Sequence, residues 1–106
     1  MTTPDSPIVV TRNDNEHRYE VKVDGQLAIL TYRLHGDQIV FLHTGVPAVL
    51  EEHGIASKVA LFALEEARSQ HLTVIPRCPF VASYIRRHQE YLSLVPVSEQ
   101  TRLLRD

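Results

Sequence analysis

The clearest chemical signal in the sequence lies where an apolar strand gives way to a helix. Residues 38–46 have the character of a strand, a short polar turn follows at residues 51–54, and an amphipathic helix begins near Ile55. A strand that turns into a helix leaves unpaired backbone N–H groups at the helix N-terminus, where anions bind. Gly54, Ile55 and Ala56 would present a bare main chain there. The pattern predicts a phosphate cradle.

The single cysteine, Cys78, is the second group with chemical potential. It follows a short β-branched strand over residues 72–75, which Pro76 stops, and it precedes a helix that begins around Pro79. Only a thiolate is nucleophilic, and a helix N-terminus beside Arg77 would favour that form. A lone cysteine is more commonly a buried structural residue. Both interpretations stay open.

Three strands are predicted ahead of the cradle. Residues 18–23 alternate apolar and polar side chains, which is the period of a strand with one wet face. Asp24-Gly25 forms a two-residue hairpin turn into a more apolar strand over residues 26–34. A turn at residues 35–37 leads into the strand over 38–46. The expected arrangement is an antiparallel meander.

The remainder of the chain is predicted to be mainly helical. One helical face carries Ala56, Val59, Ala60, Ala63, Leu64 and Ala67. The second helix is expected to run from about Pro79 to His88. The division of the chain is a mobile lead (1–7), a single domain (8–96) and a tail (97–106) that is either a short helix or disordered. Residues 8–10 are either a short strand or an apolar plug.

A ligand slot is expected where the sheet changes its pairing. A helix joins the strand ending at Gly45 to the one beginning at Leu72, and such a crossover makes the two strands parallel. Strand ends splay where an antiparallel meander becomes parallel, and a slot can open there. His43 and Thr44 point to opposite faces of their strand, so only one of them can line the slot.

Composition limits the classes of function. A chain of 106 residues makes one domain, and a net charge of −2 gives no electrostatic reason to expect a nucleic-acid partner. One cysteine excludes an intrachain disulfide, and the histidines form no His-x-x-x-His pair, so no metal site is predicted. No run approaches the ~18 apolar residues of a membrane span, and the N-terminus lacks a signal-peptide pattern. The expected location is the cytoplasm, without a membrane partner.

Several short segments together carry a family resemblance. They are Thr44-Gly-Val-Pro47, Gly54-Ile-Ala-Ser57, Ile75-Pro-Arg-Cys-Pro-Phe-Val81, Tyr84-Ile-Arg-Arg-His88 and Glu90-Tyr91. Across about residues 18–95 the chain resembles the minimal acyltransferases among the GCN5-related N-acetyltransferases (GNAT), and the cysteine block is the most specific part. The resemblance implies a GNAT-like α+β fold. Its sheet would be mixed and mostly antiparallel, flanked by helices, with a β-α-β unit at the slot for acetyl-CoA.

The resemblance also implies which residues bind the cofactor. They are Thr44, Val46, Glu51, His53, Gly54, Ile55, Ala56, Ser57 and Arg87. The Val46 backbone would hold the pantetheine or the acetyl carbonyl, amides of residues 53–56 the diphosphate, and Arg87 the 3′-phosphate. Glu52 and His53 depart from the family pattern, which has glycine and a basic residue there. A carboxylate repels a diphosphate, whereas a protonated His53 would partly compensate.

Three residues are implied as catalytic candidates. Cys78 would accept the acetyl group as a nucleophile or donate a proton to the leaving CoA thiolate. Tyr84 would be a general acid, as in larger relatives, although packing is the favoured interpretation. His43 would be a base for the incoming amine, and its alternative is a half-buried strand residue. Arg86, Arg87 and His88 form a basic cluster whose common role is a solvated face.

The expected function is therefore acetyl-CoA-dependent N-acetylation of an amine, on a small molecule or a protein that the sequence does not identify. Two alternatives stay open on the same fold: a CoA-binding protein without catalysis, and a protein-interaction module that has lost the cofactor. The expected assembly is a monomer or a weak dimer.

Overall fold

The structure, a computed structural model, describes residues 8–51 and 54–105. The strands are β1 (Thr11–Asn13), β2 (Arg18–Val23), β3 (Gln26–His35), β4 (Gln38–Gly45) and β5 (Thr73–Pro76). The helices are α1 (Ala48–Glu51), α2 (Ile55–Ser69), α3 (Pro79–Arg87) and α4 (Val97–Arg105), with a 3-10 helix at Gln89–Leu94. In the described ranges the strands form one sheet of order β1-β2-β3-β4-β5, antiparallel except for the parallel pair β4–β5. The predicted mixed sheet with its crossover is confirmed.

The core lies between one face of the sheet and the helices. Tyr19, Leu30 and Phe41 from three neighbouring strands are each no more than 1% exposed. The apolar stripe of α2 packs among them, because its alanines let the helix approach the sheet closely. Of the predicted stripe, every residue is buried except Ala56, which is half-buried at the first turn.

A polar network ties β1 to α2 at the edge of the core. The Arg12 guanidinium donates to Glu66 Oε1 at 2.8 Å and to Asp14 Oδ1 at 2.6 Å. The Tyr19 hydroxyl donates to the same Glu66 oxygen at 2.6 Å, and the Tyr32 hydroxyl donates to Asp14 at 2.6 Å. These bonds give the phenol groups at the core boundary acceptors, which a buried hydroxyl needs. We call the set the Arg12 network.

At each end of the described chain the structure shows one of the two options that the sequence left open. Residues 8–10 form no strand, and Ile8 and Val10 pack against the core, so the plug interpretation is the one observed. The short strand β1 follows them, and its three residues are too few to show alternation. For the tail the helical option is observed: α4 contacts α3, and Leu103 is 5% exposed.

Strand β4 has one extra residue in its pairing with β3. Tyr32 pairs with Phe41 and Thr31 pairs with His43, so Leu42 has no residue opposite it. Such a β-bulge reverses the alternation of side chains beyond it. Thr44, opposite the buried Leu30, consequently faces the core side, and His43 faces the other side.

Within 8–51 and 54–105, no helix combines the length and the apolar character that a membrane span requires.

Candidate functional site

A cavity of about 340 Å³ opens between the end of β4 and the N-terminus of α2. The described residues that line it are Thr44, Val46, Glu51, Gly54, Ala56, Ser57 and Phe80. All of these except Phe80 are residues that the sequence analysis assigned to cofactor binding. Apolar and hydroxyl side chains, together with the Glu51 carboxylate, therefore surround a space that ends at a helix N-terminus.

The N-terminus of α2 faces this cavity with its first main-chain N–H groups. Gly54 occupies the N-cap position with φ 67° and ψ 24°, and no side chain of the described residues caps it. The first intrahelical bond runs from the Lys58 N–H to the Gly54 carbonyl at 3.1 Å. The N–H groups of residues 55–57 therefore have no acceptor within the helix. They carry the positive end of the helix dipole, which favours an anion.

Gly54 also leaves space in front of these donors. A Cβ built on Gly54 would meet no atom of the described chain within 4 Å, and its positive φ is strained for other residues. Ile55 is 1% exposed, so its side chain belongs to the core, and it is not among the described residues that line the cavity. Glu52 and His53 lie outside the described residues, and the repulsion and compensation expected of them stay predictions.

The gap between the parallel strands begins where their pairing stops. The last paired residues are Phe41 and Pro76, and the Cys78 N–H then donates to the Phe41 carbonyl at 2.8 Å. Beyond that bond, β4 continues to Gly45 while the other chain segment turns into α3. The expected divergence of the strand ends is therefore present.

Cys78 lies on the inner side of this gap. Its side chain is 1% exposed, and Sγ lies 3.0 Å from Thr44 Oγ1. Thr44 lines the cavity, whereas Cys78 does not appear among the described lining residues. The hydroxyl therefore connects a buried thiol with the cavity, an arrangement that the sequence did not predict.

The other predicted site residues lie elsewhere. His43 is exposed on the sheet face away from the core, because the bulge at Leu42 turns Thr44 and not His43 toward the core. Its predicted role as a base therefore gains no support. Tyr84 is 6% exposed and stacks on His88 with ring centroids 4.0 Å apart. Burial raises the pKa of Tyr84. Arg87 is exposed at the end of α3 and does not line the cavity.

Phe80 is the lining residue that the sequence analysis did not single out. It occupies the first turn of α3, while the residues that follow on the buried face are Val81, Tyr84 and Ile85. The spacing of that stripe places Phe80 at its edge, where a half-buried ring faces the cavity. Only knowledge of where α3 sits relative to α2 would have identified it.

The described residues contain no group of three or more His, Cys, Asp or Glu side chains placed to hold a metal ion. The described residues that line the cavity offer hydroxyl, carboxylate and main-chain groups.

Comparison with known proteins identifies the class of protein that this fold and cavity define. The family profile described as GCN5-related N-acetyl-transferase matches residues 18–94. The chain belongs to the GCN5-related N-acetyltransferase family.

A particular structural relative is a GCN5-like protein from Staphylococcus aureus, determined in solution by NMR. It is 26% identical to this chain, with a TM-score of 0.68, and the match covers 86% of this chain and 90% of the relative. The likeness extends over nearly the whole chain, and the α+β fold implied by the sequence resemblance is confirmed.

Proposed function

We propose that the protein is an acetyl-CoA-dependent N-acetyltransferase that transfers an acetyl group to an amine. The observation that carries the proposal is the cavity between Thr44 and the N-terminus of α2, because it joins an anion-binding end to a buried thiol. Membership of the GCN5-related family supports the same reaction class.

Coenzyme A fits the groups that surround the cavity. Its diphosphate would accept hydrogen bonds from the N–H groups of residues 55–57, next to the side-chain-free Gly54. Its pantetheine arm has apolar and amide portions, which match the half-buried side chains of Val46 and Phe80 and the backbone of β4. Ser57 and Thr44 add hydroxyl groups along the same wall.

Acetyl-CoA supplies an activated thioester, and transfer exchanges its C–S bond for a C–N bond. The amine must attack as the free base, and the departing sulfur must gain a proton. We assign this proton to the Thr44 hydroxyl, which lines the cavity, with the Cys78 thiol behind it at 3.0 Å. The amine gives up one proton on forming the amide, and that proton returns the Thr44–Cys78 pair to its original protonation state.

A covalent route through Cys78 makes a different demand on the structure. The thiol would have to reach the acetyl carbon as a thiolate. With 1% exposure and Thr44 against it, Cys78 would need the threonine side chain to rotate away first. The relay through Thr44 needs no such movement, so we favour it.

Two measurements test the proposal. Titration calorimetry should detect acetyl-CoA binding, and a thiol-reactive reagent should detect CoA release that depends on an added amine. Binding with amine-dependent release and an N-acetylated product would support the proposal. The absence of binding at millimolar acetyl-CoA would contradict it. Binding without any amide product across an amine panel would indicate a CoA-binding protein without catalysis.

A further inference from the structure

A second cavity, of about 260 Å³, lies between the end of β5 and helices α3 and α4. Its lining residues among those described are Pro76, Arg77, Pro79, Ala82, Arg86, Glu99, Arg102 and Leu103. Three of these side chains are guanidinium groups and only one is a carboxylate. We call this space the arginine cavity.

The positive charge of the arginine cavity is only partly balanced within the described chain. Arg77 makes a two-pronged contact with Glu99, at 2.8 and 3.3 Å, so these two charges are paired. Arg86 donates to the neutral Leu103 carbonyl at 3.2 Å. Arg102 is exposed and makes no hydrogen bond or ion pair with any residue in the described ranges. Arg86 and Arg102 therefore leave an excess of positive charge at the cavity.

Neighbouring residues of one chain segment line the arginine cavity and the cavity between β4 and α2, which we call the acetyl-CoA cavity. Pro76, Arg77 and Pro79 line the arginine cavity, while Phe80 lines the acetyl-CoA cavity. Cys78 lies between them in sequence, is buried, and contacts Thr44 of the acetyl-CoA cavity. A molecule held in the arginine cavity would thus lie across the Cys78 segment from the cofactor.

We propose that the arginine cavity binds a carboxylate or phosphate group of the acceptor, so that the acceptor is an acidic amine. The inference rests on the proposed function. Planar guanidinium groups recognise such oxyanions in paired geometry, which makes them suited to holding an anionic substrate. The cofactor diphosphate has a separate cradle at Gly54 and does not need these arginines.

The test uses two amines that differ by one phosphate, O-phosphoethanolamine and ethanolamine. Each is titrated into ¹⁵N-labelled protein saturated with CoA, and backbone amide shifts are followed by NMR. O-phosphoethanolamine should shift the signals of residues 76–86 and 99–103, whereas ethanolamine should not. Equal responses to the two amines, or no shift in these segments, would overturn the proposal.

Charge reversal at Arg102 tests the site directly, with a matched reversal elsewhere as control. Arg102→Glu should weaken O-phosphoethanolamine binding by about tenfold, because attraction to the dianion becomes repulsion. Lys22→Glu changes the net charge equally at an exposed position on β2, away from the cavity, and should leave the affinity unchanged. Equal losses in both variants would mean that only net charge matters, which contradicts a site.

Glu99→Gln should change the affinity for O-phosphoethanolamine in the opposite direction. The carboxylate competes with any bound anion for Arg77, so its removal should tighten O-phosphoethanolamine binding severalfold. The amide spectrum of the variant shows independently whether α4 remains docked. Weaker binding by a folded Glu99→Gln variant would contradict the proposal.

Two further titrations distinguish the possible sources of the anionic group. If Arg102→Glu weakens binding of CoA but not of 3′-dephospho-CoA, the cavity holds the cofactor phosphate and the acceptor assignment is overturned. Affinity for inorganic phosphate equal to that for O-phosphoethanolamine would indicate a free-anion site and also overturn it. Failure of acetyl-CoA to bind would instead refute the proposed function, which makes the two failures distinguishable.

Discussion

Thr44 Oγ1 lies 3.0 Å from the sulfur of Cys78, and this contact bridges the point where β4 and the chain after β5 diverge. The threonine lines the cavity and the cysteine lies behind it, so the two side chains form one unit in which only the threonine reaches the cavity. A change at either residue should therefore affect turnover in the same way.

The first prediction concerns this pair. Thr44→Val retains the shape of the side chain and removes the hydroxyl, and it should lower kcat by about 100-fold, the typical effect of losing a general acid. Affinity for acetyl-CoA should change little. Thr31→Val makes the same chemical change on the opposite sheet face and should have no effect on kcat.

Cys78→Ala separates the relay from a covalent route. In the relay, Cys78→Ala and Thr44→Val should have similar effects, and the double variant should be no worse than either, because the groups act as one unit. A covalent route requires that Cys78→Ala abolish turnover and that mass spectrometry of protein with acetyl-CoA alone detect an acetylated thiol. Detection of that adduct would contradict the relay.

The second prediction uses two glycines of nearly equal backbone conformation. Gly54 and Gly36 have φ values of 67° and 62°, and a Cβ on either would meet no described atom within 4 Å. Alanine at each should cost a similar amount of stability, about 1 kcal/mol. Only Gly54→Ala should also weaken acetyl-CoA binding, by about tenfold, because the methyl group occupies space in front of the cradle.

Calorimetry and chemical denaturation of the two variants provide the measurements. Equal acetyl-CoA affinities for Gly54→Ala and Gly36→Ala would remove the α2 N-terminus from the binding site.

The third prediction concerns the Arg12 network. Glu66→Ala removes the acceptor of both the Tyr19 hydroxyl and the Arg12 guanidinium. Leaving a buried hydroxyl and a partly buried charge without this partner should lower the free energy of unfolding by about 1–3 kcal/mol. Urea denaturation measures the loss, and Glu16→Ala, at an exposed position before β2, should be within experimental error of the parent protein.

The fourth prediction is a loss of stability in alkali. Desolvation by burial raises the pKa of Tyr19, Tyr32, Tyr84 and Tyr91 above the ordinary value of 10, and carboxylate acceptors raise it further for Tyr19, Tyr32 and Tyr91. Because the folded pKa values are raised, the tyrosines contribute stability that is fully present below pH 10. Above pH 10 the unfolded chain ionises first, so the contribution falls as pH rises through the folded pKa values.

Absorbance of tyrosinate at alkaline pH should therefore appear together with loss of the far-ultraviolet circular dichroism signal. Gradual titration near pH 10 with the signal intact would show that the phenol groups ionise in the folded protein, contrary to this prediction.

Local sequence patterns predicted the elements that are defined by the spacing of residues close together in the chain. The hairpin at Asp24-Gly25 and the stripe on α2 are each set by spacing along the chain, and both are observed. Local patterns also predicted an anion cradle at the N-terminus of α2, whereas the family resemblance indicated the other residues that line the cavity. The family resemblance supplied the identity of the ligand expected there.

Features that depend on contacts between distant segments were not predictable in this way. Leu42 has nothing in its type to mark a bulge, because the extra residue is defined only by its partner strand. The Thr44 contact with Cys78 and the Arg12 contact with Glu66 likewise join residues far apart in sequence. Phe80 reaches the cavity only because α3 and α2 pack side by side.

The unpaired Leu42 determines which side chain near the end of β4 faces the cavity. A straightened β4 that retained all its residues would present the imidazole of His43 where the hydroxyl of Thr44 now stands, whereas deletion of Leu42 would leave the hydroxyl in place. The bulge in β4 therefore decides which of two neighbouring side chains, the Thr44 hydroxyl or the His43 imidazole, lies on the cavity side, with no substitution of either residue.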